Sequence, residues 1–173
     1  MTDAPIFLVG FMASGKSTVG RLVASRLGWA FHDLDRVIAE GAGRTIPEIF
    51  AQEGEEGFRR REAAAVREAA GLRRAVIATG GGAACREVNL TAMLAAGHVV
   101  ALVVTPEEVV RRTQGRTARP LLDGVADPLA VAAELLRARE PFYARAHASI
   151  ETRDRSPAEV AGAVLRVLEA RAP

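Results

Sequence analysis

Short apolar runs alternate along the chain with longer segments in which apolar residues recur at helical spacing. The apolar runs cover residues 5–10, 29–32, 75–79, 98–104 and 148–151. Runs of this length are typical of strands that a parallel sheet buries on both faces. The longer segments predict helices over about 16–27, 58–70, 86–96 and 128–145, and a last helix after Ser156-Pro157. Residues 54–57 are expected to break the pattern before the second of these helices. The alternation predicts an α/β domain.

The loop between the first strand and the first helix has the composition of a phosphate-binding site. Residues 10–18 read GFMASGKST, which is a full Walker A spacing in a strand-loop-helix context. Glycine lets the backbone bring its N–H groups to an anion, and the helix N-terminus adds its dipole. Lys16 can reach the outer phosphates of a nucleoside triphosphate, and the Ser17 hydroxyl can coordinate Mg²⁺. The chain has 23 basic residues, and Lys16 is the one lysine among them. Arginine would substitute poorly there.

Two further strand ends carry candidate site residues. Asp33 and Asp35 follow the second apolar run, at the sheet edge where ligands bind in open parallel sheets. One aspartate could help to hold Mg²⁺ and the other a substrate hydroxyl; alternatively, Asp35 is the N-cap of the next helix. The third run leads into residues 80–82, three consecutive glycines, which is more than a tight turn needs. They indicate close approach of the backbone to a ligand.

The chain has two groups of arginines, and the spacing of the residues alone does not decide what either group does. Residues 59–61 are consecutive arginines on a helix, and they cannot all face one way. They either form a solvated face paired with Glu55, Glu56 and Glu62, or include one arginine that binds an anionic substrate. Residues 111–122 are basic, with glycine and proline, and predict a long loop. Such a loop could close over a transferring phosphoryl group. A nucleic-acid contact is the alternative, but no aromatic residues are interleaved to stack bases.

Length and composition restrict the number of domains, the partners and the location that we expect for the protein. The length of 173 residues predicts one domain, and a net charge of +2 gives little support for a nucleic-acid partner. Cys85 is the single cysteine, expected to be a buried inert thiol, so no intramolecular disulfide can form and a reducing cytoplasm is the expected location. We find no signal peptide, no membrane-spanning run and no exposed apolar stripe, and we expect a cytoplasmic monomer with no membrane partner.

The motifs GFMASGKST, HDLD, GFRR, TGGGA, RPLL and RAREPFY, in this order, resemble those of the shikimate kinase family over about residues 5–168. The resemblance implies a P-loop three-layer α/β/α fold of the nucleoside-monophosphate-kinase type, with a five-stranded parallel sheet in the order 2-3-1-4-5. It implies phosphoryl transfer from ATP, with Mg²⁺, to the 3-hydroxyl of shikimate in chorismate and aromatic amino acid biosynthesis. It also implies a single domain over residues 1–173, with a substrate-binding region at about 33–62 and a lid at about 112–126.

The resemblance further implies roles for individual residues. Those expected to bind ATP are Ala13, Ser14, Gly15, Lys16, Ser17, Thr18, Arg112, Arg119 and Arg155. Those expected at the metal are Ser17 and Asp33, those expected to bind shikimate are Asp35, Arg59, Gly81 and Arg139, and those expected to act in catalysis are Lys16, Asp35 and Arg119. Ala13 departs from the family, which usually has glycine there. The alternatives are another small-molecule kinase of this fold, acting on gluconate or a nucleoside monophosphate, and a non-catalytic nucleotide-dependent protein.

Overall fold

The computed structural model of the protein describes residues 3–114 and 124–170. Five strands in these ranges form one parallel sheet in the order β2-β3-β1-β4-β5. The strands are β1 (Ile6–Val9), β2 (Ala30–Asp33), β3 (Ala75–Ala78), β4 (His98–Val103) and β5 (Ala148–Glu151). The fold class and strand order expected from the sequence are therefore confirmed.

Seven α-helices connect or follow the strands in the described residues. They are α1 (Lys16–Leu27), α2 (Leu34–Ala42), α3 (Ile46–Ala70), α4 (Glu87–Ala96), α5 (Pro106–Thr113), α6 (Pro128–Tyr143) and α7 (Pro157–Ala170), with a 3₁₀ turn at Ala83–Cys85. Their starts follow ordinary capping chemistry: Thr45 and Glu48 form a reciprocal capping box, and Thr105 accepts from the Glu108 N–H. None of these helices is both long and apolar enough to cross a bilayer.

The two-residue period of a strand distributes the sheet's side chains between two apolar cores. On β1, Phe7 and Val9 pack with α2, α3 and α4, whereas Ile6 and Leu8 pack with α1 and α7. All four side chains are fully buried, and each such burial contributes roughly 1.5–3 kcal/mol to stability. A smaller third cluster of Phe11, Val104, Val109 and Ala132 packs α5 and α6 against the carboxyl ends of the central strands.

Helix α3 corrects one expectation from the sequence. The predicted break over residues 54–57 is confined to Gly54, whose φ of 68° and ψ of −177° are non-helical, and the chain is helical on both sides of it. Glycine alone adopts such angles without strain. Across the break, Arg61 donates to both carboxylate oxygens of Glu53 at 2.8 and 2.9 Å. Other differences are at element ends: β2 begins at Ala30, and α6 ends at Tyr143.

The loop between β1 and α1 contains a backbone conformation that is unusual for its residue. Ala13 has a φ of 59°, in the left-handed region. There the Cβ approaches the carbonyl oxygen and costs an L-residue about 1–2 kcal/mol. Gly15, with a φ of 91°, avoids that cost because it has no Cβ. The departure from glycine at residue 13 therefore leaves strain in the phosphate-binding loop.

We predict that Ala13→Gly stabilises the protein. Glycine removes the left-handed strain but adds about 0.5–1 kcal/mol of backbone entropy cost, so we expect the free energy of unfolding to rise by up to about 1.5 kcal/mol. Urea denaturation measures it. Ala51→Gly, at an exposed position in helical α3, is the matched control and should lower stability by about 1 kcal/mol. A loss of stability at residue 13 equal to that at residue 51 would contradict the prediction.

Candidate active site

A cleft of about 620 Å³ opens at the carboxyl ends of the strands, within the size range of small-molecule sites. Its walls include many of the residues singled out from the sequence. These are Ala13, Ser14, Gly15, Lys16, Ser17, Thr18, Asp33, Asp35, Gly81, Arg112 and Arg155. Arg59 and Arg139 lie beside the glycine run that borders this cleft. Arg119, and with it residues 115–123 of the expected lid, lies outside the described residues.

Lys16 is the first residue of α1, and its ammonium is buried within the loop that precedes it. Nζ donates to the carbonyl oxygens of Gly10 and Phe11 at 2.8 Å each, and to Ser14 Oγ at 3.4 Å. The Gly10 position has no room for a side chain, because a Cβ there would lie 2.4 Å from the Leu102 carbonyl oxygen. The loop is therefore packed against β4, and its one lysine is held at the N-terminus of a helix that favours anions.

Ser17 and Asp33 meet where α1 begins and β2 ends. Ser17 Oγ donates to Asp33 Oδ2 at 2.5 Å. Both are hard oxygen groups of the kind that Mg²⁺ prefers. The described residues contain no cluster of three or more His, Cys, Asp or Glu side chains that could hold a metal ion. An ion here would therefore draw further oxygen ligands from a bound phosphate or water.

Asp35 lies in the first turn of α2 and faces the first glycine of the run. The N-cap of α2 is Asp33, so the reading of Asp35 as N-cap is wrong. A Cβ at Gly80 would lie 2.8 Å from Asp35 Oδ1, so a side chain there would displace the carboxylate. Burial raises the pKa of Asp35, and the nearby Asp33 charge adds to this, while Lys16 and Arg59 oppose it. Leu34, between the aspartates, is buried in the core.

The three consecutive arginines of α3 face different surroundings. Arg59 Nη1 donates to both carboxylate oxygens of Glu62 at 3.0 and 3.1 Å, and a Cβ at Gly82 would lie 3.2 Å from that same nitrogen. Arg60 is 68% exposed and pairs with Glu56. Arg61 is turned towards Glu53. Among the three, Arg59 is the one directed at the glycine run.

Glu62 is a site residue that sequence reasoning missed, because it was grouped with solvated partners of the arginines. It is 1% exposed, and burial raises its pKa against the opposing charge and hydrogen bonds of Arg59. A Cβ at Gly80 would lie 3.3 Å from Glu62 Oε1. Its position three residues after Arg59 was a visible signal for a helical pair, but burial depends on the fold.

Helix α6 reaches the middle of the glycine run with two side chains. Arg139 Nη1 donates to the Gly81 carbonyl oxygen at 3.2 Å, and the guanidinium lies 4.9 Å from the Phe11 ring centroid. The Tyr143 hydroxyl donates to the same carbonyl oxygen at 2.7 Å. Phe11 and Tyr143 stand within the motifs GFMASGKST and RAREPFY, but nothing in the sequence indicated their contacts beside the glycine run. Cys85 is half-buried, and burial raises its pKa, which fits the expected inert thiol.

Arg112 connects three elements that line the cleft. Nη1 donates to the Ala13 carbonyl oxygen at 3.1 Å and to Thr152 Oγ1 at 3.0 Å, and Nη2 donates to the Thr152 carbonyl oxygen at 3.0 Å. The guanidinium also pairs with Glu108. Arg112 thus ties the end of α5 to the phosphate-binding loop and to the end of β5. Arg155, just after β5, lines the same part of the cleft.

Comparisons with known proteins agree on one family. The family model described as shikimate kinase matches residues 12–169. A shikimate kinase from Symbiobacterium thermophilum is 50% identical over 169 residues, covering 96% of this chain and 97% of the relative. One from Moorella thermoacetica is 48% identical over 165 residues, covering 95% and 94%.

Solved structures give the same result. The shikimate kinase from Acinetobacter baumannii in complex with shikimate matches with a TM-score of 0.91 and 39% identity, covering 96% of this chain and 93% of that one. A gluconokinase from Sinorhizobium meliloti has a TM-score of 0.65 at 17% identity, covering 98% and 93%, and shares the fold alone. From its sequence, its fold and these matches, the chain belongs to the shikimate kinase family.

Proposed function

We propose that the cleft transfers the γ-phosphoryl group of ATP to the 3-hydroxyl of shikimate, giving shikimate 3-phosphate and ADP. As a member of the shikimate kinase family, the protein phosphorylates shikimate with ATP in aromatic biosynthesis. The observation that carries the residue assignment is the convergence of a phosphate-binding loop, one aspartate and two arginines on one run of three glycines. The nucleotide then occupies the loop side of the run, and shikimate occupies the arginine side.

On the nucleotide side, the backbone of residues 13–18 and the Lys16 ammonium hold the phosphates. Mg²⁺ fits the Ser17 hydroxyl and the Asp33 carboxylate, which lie 2.5 Å apart, because this ion is usually held by one or two protein oxygens plus substrate phosphates. The bound ion would neutralise phosphate charge. Arg112 and Arg155 flank the adenine, and Arg119, outside the described residues, closes on the phosphates.

On the acceptor side, Arg59 and Arg139 pair with the shikimate carboxylate, a contact for which the planar guanidinium is well suited. Gly81 offers backbone to the substrate, and because its carbonyl already accepts from Arg139 and Tyr143, the group it offers is its N–H. Asp35 accepts from the 3-hydroxyl, orients it and takes its proton. A pKa raised by burial brings this carboxylate nearer to the working pH, which favours a general base.

Lys16 and Arg119 then stabilise the charge that develops on the transferring phosphoryl group. Phosphoryl transfer depends mainly on positioning and on such charge stabilisation. We further propose that residues 1–173 form one domain, with a substrate-binding region at about 33–62 and a lid at about 112–126. The expected setting is a cytoplasmic monomer that binds neither nucleic acid nor membranes.

The activity itself is tested by coupled ADP release with Mg-ATP and four arms: shikimate, gluconate, AMP and no acceptor. We expect release that depends on shikimate alone, and its loss when EDTA removes the divalent ion. Release with gluconate or AMP and none with shikimate would withdraw the roles of Asp35, Arg59, Gly81 and Arg139. ATP binding without turnover in any arm would favour the non-catalytic alternative.

Arg59→Ala should raise the KM for shikimate by about 10- to 100-fold, because it removes charge-assisted hydrogen bonds to the carboxylate. The KM for ATP should change little. Because Arg59 also neutralises buried Glu62, the variant is made together with Arg59→Ala/Glu62→Gln, which leaves no unpaired buried charge. Arg60→Ala, next in the chain and exposed, is the matched control and should change neither KM. Equal changes in the two KM values would contradict the assignment.

Asp35→Asn should lower kcat by about 10²- to 10⁴-fold through loss of the base, as the coupled ADP-release assay with shikimate measures.

The same variant, Asp35→Asn, should also make the protein more stable than the wild type at pH 8. A pKa raised in the folded state means that the wild type loses stability as pH rises through that pKa. The stability gain of Asp35→Asn should therefore shrink as pH falls and vanish below the ordinary value of 3.8. Thermal unfolding against pH measures it. A pH-independent difference in stability between the wild type and Asp35→Asn would refute the explanation.

A further inference from the structure

Each carbonyl of the glycine run has a fixed hydrogen-bond donor, but the middle carbonyl is held differently from its neighbours. Gly80 O accepts from the Ala83 N–H at 3.1 Å, and Gly82 O accepts from the Cys85 N–H at 3.0 Å. Both bonds are local and belong to the 3₁₀ turn. Gly81 O instead accepts from two side chains of α6, Tyr143 at 2.7 Å and Arg139 at 3.2 Å. The orientation of the middle peptide therefore depends on a distant helix.

The hydrogen bonds to the Gly81 carbonyl oxygen also fix the rest of the peptide group to which it belongs. The Gly81 C=O and the Gly82 N–H belong to one planar trans peptide and point in opposite directions. Glycine on both sides leaves this plane unusually free to rotate. Two donors converging on one oxygen remove that freedom. They also fix Arg139 relative to the peptide, because both partners of the arginine bond are then held in place.

Tyr143 is built to act as a fixed donor. It ends α6 one helical turn after Arg139, so the two side chains lie on the same face of the helix. Its ring packs against both the α2–α4 core and the third cluster around Phe11. Burial raises the pKa of its hydroxyl, so that the phenol remains a protonated donor across the assay range. The packing of the ring fixes the position of the hydroxyl oxygen, and therefore the direction of its hydrogen bond to the Gly81 carbonyl oxygen.

We propose that Tyr143 is a positioning residue for the phosphoryl acceptor. Its hydroxyl fixes the plane of the Gly81–Gly82 peptide and, through the shared carbonyl oxygen, the direction of the Arg139 guanidinium. Tyr143 itself does not touch shikimate. The inference rests on the proposed function, because it matters only if Arg139 binds the carboxylate of the acceptor.

Tyr143→Phe tests this proposal, since it removes the hydroxyl and keeps the packed ring. We expect the KM and Kd for shikimate to rise about three- to tenfold, the range for loss of one neutral hydrogen bond. The KM for ATP should change less than twofold. A change below twofold for shikimate, or an equal change for both substrates, would overturn the proposal. Shikimate-dependent turnover by the wild type in the same assay separates this failure from failure of the proposed function.

Asn89→Ala is the matched control for a merely structural role. Asn89 is 2% exposed and donates to the Ala83 carbonyl oxygen at 3.1 Å, just beyond the glycine run. Its loss should lower the Tm without changing the ratio of the two KM values. If Asn89→Ala and Tyr143→Phe move that ratio by the same factor, Tyr143 supports the fold and does not position the acceptor.

A second measurement needs no substitution. Tyr143 is the one tyrosine of the chain, so wild-type protein grown with 3-fluorotyrosine gives a single ¹⁹F resonance. Saturating shikimate should shift this resonance, because the carboxylate engages Arg139 and alters the shared hydrogen bond. Mg-ATP alone should shift it less. An unchanged resonance at saturating shikimate would overturn the proposal even if Tyr143→Phe did not fold.

Discussion

Space at the carboxyl end of β3 is the constraint on which the site depends. A Cβ would meet Asp35 at Gly80, the Met12 amide nitrogen at Gly81 and the Arg59 guanidinium at Gly82, at 2.8, 3.3 and 3.2 Å respectively. Three different elements thus approach one short backbone segment from separate directions. Because no side chain intervenes, the phosphate-binding loop and the charged side chains of Asp35, Arg59 and Arg139 all lie close to the same three residues. This adjacency is what a phosphoryl donor and its acceptor need.

The charges around this segment are arranged so that none is buried without an opposing neighbour. Arg59 lies between Glu62 and Asp35, and Lys16 acts on Asp35 from the loop side. The compensation is incomplete, since burial still raises the pKa of both carboxyl groups. Such a site stores unfavourable electrostatic free energy that the apolar cores on either face of the sheet must offset.

The sequence predicted the elements whose signal is local. Strand order followed from the resemblance, and the apolar runs located the five strands because a sheet buried on both faces selects continuous apolar residues. The phosphate-binding loop was recognisable since its chemistry is contained in nine consecutive residues. Arg59 could not be separated from Arg60 and Arg61 by spacing, because their directions depend on how α3 packs beyond the kink at Gly54. The burial of Glu62 and the contact of Tyr143 with Gly81 were not predictable for a related reason: both depend on how α3 and α6 pack against the folded sheet.

The Arg59–Glu62 pair also bears on how this enzyme can change over evolution. Glu62 is almost fully buried and its partner is the proposed carboxylate-binding arginine. Replacing Arg59 alone leaves Glu62 as an unpaired buried charge, at a cost of about 3–5 kcal/mol, which is a large part of a typical domain's stability. A lineage that loses Arg59 must therefore replace Glu62 beforehand or at the same time. Substitution at residue 59 is thus epistatic with substitution at residue 62.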